Sequence, residues 1–86
     1  MRFPTLFRRA DAAVSEAEGL IHDLRVVSGP SGSRWLFRLD GRAEAVFEFE
    51  PSPLSPERRN GQRVRIGYRS APDSTGVYRA DWIAAA

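Results

Sequence analysis

The stretch 34-RWLFRLDGRAEAVFEFE-50 decides the fold. Trp35, Phe37 and Leu39 alternate with Arg34, Leu36 and Arg38, and Ala45, Phe47 and Phe49 alternate with Glu44, Val46, Glu48 and Glu50. A period of two with one apolar face reads as a pair of half-buried strands, here Arg34 to Asp40 and Ala43 to Glu50. A two-residue loop at Asp40-Gly41 would set Trp35 against Val46 and Phe37 against Glu44, mixing the faces. An odd loop of three or five residues sets Trp35 against Phe47, Phe37 against Ala45, Arg34 against Glu48 and Arg38 against Glu44. Packing and charge agree only in the odd register, which is the one expected.

Working outward, Leu20 to Val27 reads as a strand with Leu20, His22, Leu24 and Val26 on one face and Ile21, Asp23, Arg25 and Val27 on the other. The breaker-rich run Ser28 to Ser33 is a turn. Residues 6–17 stay open between two readings. Their apolar spacing and alanine content fit a helix stopped by Gly19, and alternation through Ala10, Ala12 and Val14 fits a strand bending there. Residues 51–61 hold three prolines, and Ser55-Pro56-Glu57 has the hydroxyl, proline and acid of a helix start, with Asn60-Gly61 as its stop. One short helix is expected there. Val64, Ile66 and Tyr68 then alternate with outward Arg63, Arg65 and Arg69. After a second breaker loop, residues 70–76, the last strand places Tyr78, Ala80 and Trp82 on one face.

Three strands, a short helix and two strands is the layout of an OB-like, five-stranded Greek-key barrel. Residues 36–68 also resemble bacterial OB-fold families, among them the periplasmic OB-fold proteins and the heme chaperone of cytochrome c maturation. The resemblance rests on the strand ending in Leu39-Asp40, the proline-flanked Leu54 and the run Gly61 to Ile66. It implies the fold and nothing more. The chaperone's heme-attachment histidine follows its barrel, and no histidine stands there in this chain.

The whole chain, 86 residues, reads as a single OB-like domain with an N-terminal arm at 1–9 and a tail at 84–86. It has no cysteine and one histidine, His22, which excludes disulfides, thiol nucleophiles and multi-histidine metal sites. His22 and Asp23 are strand neighbours pointing to opposite faces, so they form no catalytic pair; a half-buried imidazole is expected instead. Glu48 and Glu50 share a face but lack further ligands for a cation. No phosphate loop or nucleophile motif occurs, so no catalytic residue, metal or cofactor is expected. No apolar run approaches a membrane span, and the opening residues lack a signal peptide's apolar stretch, so the expected location is the cytoplasm.

Binding is therefore the expected function. Thirteen arginines and no lysine leave a net charge of only +2, so a local cluster matters more than the total. Arg58, Arg59, Arg63, Arg65 and Arg69 could form an outward anion-binding stripe for single-stranded DNA or RNA, with Trp35 as a stacking platform. The competing reading makes those arginines a solvated strand face and sends Trp35, Phe37, Phe47 and Phe49 into the barrel. The alternative function is a protein–protein or self-association module, docking through Phe3, Leu6 and Phe7 or through a sheet edge.

Overall fold

The structure, a computed structural model, describes residues 14–42 and 44–86. It is mainly β: β1 (Val14–Gly29), β2 (Gly32–Leu39), β3 (Val46–Phe49), β4 (Arg63–Arg69) and β5 (Val77–Ala85). The strands close into a barrel in the order β1-β2-β3-β5-β4. All pairs are antiparallel except β3–β5, which is parallel. β4 returns beside β1, the connection of a Greek key, and the closed five-stranded layout is compatible with an OB-like fold.

Alternation correctly places the inward side chains of β2, β3 and β4. Phe37, Leu39, Phe47, Val64 and Ile66 are fully buried, and Tyr68 nearly so. Phe47 is the hub, with ring centroids of Phe37, Tyr68 and Tyr78 at 5.8, 5.2 and 5.9 Å. One residue thus ties β3 to β2, β4 and β5.

The hairpin register differs from the expected one by two residues. Trp35 pairs with Phe49 and Phe37 with Phe47. An even shift leaves every side chain on its expected face and sets aromatic directly against aromatic, with Trp35 and Phe49 centroids 5.6 Å apart. The turn enforces this choice. Asp40 is held by β1, its N–H donating to the Leu20 carbonyl at 3.1 Å and its Oδ1 accepting from the Leu20 N–H at 2.7 Å. Arg42 and Ala45 then turn the chain by donating to the carbonyls of Leu39 and Arg42. Arg34 meets Glu48 as expected, at 2.7 Å, while Arg38 lies level with Val46 in this register and reaches Asp23 at 3.4 Å.

Where the described residues overlap the open 6–17 stretch, they are strand: β1 runs unbroken from Val14 through Gly19. Gly19 is no helix stop. A Cβ there would fall 2.5 Å from Asp40 Oδ1, so the glycine permits the close approach of Asp40. Residues 1–13, with the N-terminal arm and Phe3, Leu6 and Phe7, lie outside the described residues, as does Ala43.

Two bulges overturn the uninterrupted alternation expected of β1 and β5. Between His22 and Arg25, two residues of β1 oppose the single Phe37 of β2, with Asp23 at φ 55°. The bulge reverses the phase, so Ile21 and Leu24 both pack inward. The Leu24 amide donates to Asn60 Oδ1 at 3.0 Å. In β5 the extra residue is Asp81, since Gly67 pairs with Trp82 and Tyr68 with Ala80. Ile83 therefore packs on the core, and Trp82 lies outside against Gly67, where any Cβ would collide with the indole Nε1 and Cε2.

The short helix expected in residues 51–61 is absent. The Ser55 Oγ accepts from the Ser52 N–H behind it at 2.9 Å, and the Ser55 N–H donates to the Ser52 carbonyl at 3.0 Å. The hydroxyl that would cap a helix instead closes a turn at Pro53-Leu54. A second turn follows, in which the Gln62 N–H donates to the Arg59 carbonyl at 3.2 Å. No helix among the described residues is long and apolar enough to cross a membrane.

Replacing Phe47 with Ala is expected to cost about 3–5 kcal/mol, read by denaturant unfolding, which would exhaust the margin of so small a domain. Asp23→Gly should keep the bulge and its stability, whereas Asp23→Val, forced to positive φ, should lose about 1–2 kcal/mol in the same assay.

Candidate functional site

β4 turns Val64, Ile66 and Tyr68 into the barrel, and Arg63, Arg65 and Arg69 outward as expected. Their electrostatics were not legible from β4 alone. Glu18 of β1 stands directly opposite Arg65, and its carboxylate meets Arg63 Nε at 3.1 Å and Arg65 Nη2 at 3.5 Å. Arg69 Nε meets the carboxylate of Asp81, the bulge residue of β5, at 3.2 Å. Exposed pairs of this kind contribute about 0–1 kcal/mol to folding, but they lower the positive field that the strand presents.

Arg58 and Arg59 do not extend that face. Arg59 sits exposed in the turn before β4. Arg58 is half-buried, its Nη2 donating to the Ile83 carbonyl at 3.4 Å, while its Nε is buried with no hydrogen-bond partner among the described residues. Arg58 instead shares an open groove of about 480 Å³ with Glu57, Trp35, Leu24, Val26, Pro51 and Ser55. Trp35 lies opposite Val26 on β1 and Phe49 on β3. Phe37 and Phe47 fill the core, and Trp35 and Phe49 are half-buried at its margin. The site residues expected from sequence thus fall into two places: Arg63, Arg65 and Arg69 on the flank, Arg58 and Trp35 at the groove.

Sequence reading missed the ribbon that forms one wall of the groove. The β1–β4 ladder ends at Leu20 opposite Arg63, followed by backbone bonds between Ile21 and residues 61–62. The β2–β3 ladder begins only at Trp35. Between these limits, Arg25–Gly29 of β1 pairs with β2 alone. Val26 is 62% exposed and Val27 39%. The available signal was the pair Val26-Val27 running straight into Gly29-Pro30. Adjacent β-branched residues with no third strand in reach cannot both be covered.

The outer face carries a second cleft, about 280 Å³, lined by Val27, Leu36, Val77, the Arg34–Glu48 pair, Asp73 and Thr75. Glu50 pairs with Arg79 at 3.1 Å. Asp73 Oδ1 accepts from Thr75 Oγ1 at 2.6 Å, the Thr75 N–H at 2.8 Å and the Val77 N–H at 3.0 Å. These bonds, that of the Thr75 hydroxyl first, hold the Asp73 carboxyl below the ordinary aspartate range. His22 is exposed rather than half-buried, and Asp23 turns to Arg38. Among the described residues, no three His, Asp or Glu side chains converge as metal ligands would.

No family model, curated protein or solved structure matches this chain.

A lowered folded-state pKa means that the Asp73 ties add stability above the ordinary aspartate range and lose it as pH falls through the folded value. Carboxyl NMR should show Asp73 titrating below that range. Thr75→Val should move the inflection back up; an unmoved inflection would contradict the assignment of the hydroxyl as the main cause.

Proposed function

We propose that this chain is an OB-like, non-enzymatic binding module that docks a protein partner through the β1–β2 ribbon. The OB-like assignment is supported by the closed five-strand order, with β4 returning beside β1 and β5 inserted between β3 and β4. The observation that carries the function is the two-stranded projection, whose Val26 is 62% exposed. A β-branched side chain left in water on an element with a single neighbour is a surface with a use for a partner.

The other reading, single-stranded DNA or RNA, draws support from one feature: Trp35 and Arg58 line the same groove. Against it stand the flank arginines, whose charge meets Glu18 and Asp81, and the burial of Phe37 and Phe47 away from any base. Phosphate binding needs uncompensated cations, and stacking needs exposed rings. The balance favours protein.

At about 50 mM salt, where phosphate contacts are strongest, the chain is expected to show no affinity for labelled oligonucleotides. Peptides selected against it should lose binding with Val26→Asp and keep it in the triple variant Arg63→Ala, Arg65→Ala, Arg69→Ala. Both sets of changes are on exposed side chains and should alter stability by roughly 0.5 kcal/mol or less per site. Oligonucleotide binding that disappears in the triple variant would overturn the protein reading.

A further inference from the structure

Resting on the protein-docking reading, we infer that the ribbon's partner is an acidic, extended segment that adds as a strand along the outer edge of β1, Arg25–Gly29. Three observations converge on that edge. First, among the described residues, the backbone of Arg25–Gly29 bonds only to β2. Counting back from the Gly29–Gly32 pair that closes the hairpin, antiparallel alternation turns the N–H and C=O of Ser28 and Val26 away from β2. The edge carries no proline and no bulge of the kind that blocks strand addition. Second, the groove lies beside it. Alternate side chains of an added strand would face Val26 and Trp35, where Pro51 and Ser55 form the opposite wall.

Third, the charge is distributed unevenly. Arg34, Arg38, Arg63, Arg65, Arg69 and Arg79 all meet carboxylates. Arg25, Arg42, Arg58 and Arg59 meet none among the described residues; Arg42 lies over the Tyr68 ring, 5.8 Å from its centroid, and the other three surround the edge. Arg25 lies on it and Arg58 in the groove wall, where Glu57 is the one lining carboxylate to set against the three guanidinium groups. Arg59 adjoins Asn60, whose side chain holds the Leu24 amide at the point where the free edge begins. Main-chain bonds along β1 would supply affinity, and carboxylates set against the three guanidinium groups would supply selectivity. A second copy of this chain fits less well, because pairing two such edges would crowd six like charges together.

The test uses the full chain, labelled with ¹⁵N, and a short capped peptide of alternating glutamate and valine. Its controls replace glutamate by arginine or methylate alternate backbone nitrogens. The acidic peptide is expected to shift the Val26 and Ser28 amides and the Trp35 indole N–H. N-methylation, or Arg25→Ala with Arg58→Ala, should each weaken binding about tenfold, and the arginine peptide should not bind. Equal binding of the arginine peptide, shifts confined to residues away from the edge, or dimerisation in place of peptide binding would overturn the inference. Peptides from the selection above that need Val26 yet tolerate N-methylation and the arginine changes would overturn strand addition alone and leave the docking reading standing.

Discussion

Closure is the constraint on which everything else rests. A sheet of five short strands can take Phe37, Phe47 and Tyr68 out of water only by bending round on itself, and β1 makes that bend possible by serving two neighbours. Its first half pairs with β4 and its second with β2, and the Asp23 bulge changes which residues face inward as the strand passes from one to the other. The second bulge, at Asp81, does the same for β5 where it leaves β3 for β4. Without these extra residues, Leu24 and Ile83 would point to solvent, and Trp82 would be driven into a core already filled by Phe47 and its neighbours.

The same geometry determines the surface. Because β1 outruns β4, a ribbon projects with one unpaired edge, and because residues 51–58 cross below it in turns rather than a helix, a groove opens beside Trp35. The carboxylates of Glu18 and Asp81 come level with the β4 arginines through strand pairing alone. Charge that appears as a cluster in the chain is therefore largely balanced in space. Among the described arginines left without carboxylates, Arg42 covers the Tyr68 ring, and Arg25, Arg58 and Arg59 lie at the ribbon and the turn before β4.

Much of this was legible in the sequence for a simple reason: strands with one wet and one dry face declare themselves by alternation. That signal located β2, β3 and β4 and the inward set on each, and the number of such strands pointed to a five-stranded barrel. It could not reveal the bulges, since Asp23 and Asp81 look like any polar residue in a strand and only a partner strand makes them supernumerary. The hairpin register was off by an even step, which alternation cannot detect. What broke the tie was Asp40 binding Leu20, a contact across 20 residues of chain. The helix expected at Ser55 failed because its hydroxyl had a nearer donor, the Ser52 amide. For the candidate site, the outward direction of Arg63, Arg65 and Arg69 could be read directly. The pairing of Arg63 and Arg65 with Glu18, 45 positions before Arg63, and of Arg69 with Asp81 could not.

The parallel pairing of β3 with β5 also dictates an order of assembly. β1, β2 and β3 can form a meander from neighbouring hairpins, and β4 can dock on β1, but neither β3 nor β4 gains its second partner until β5 slides between them. Until then the Val46–Phe49 backbone is an open template in the nascent chain, with Phe47 uncovered beside it. Loop-closure entropy is spent before the long-range contacts return it, so the barrel should fold slowly for its size, with the arrival of β5 as the committing step.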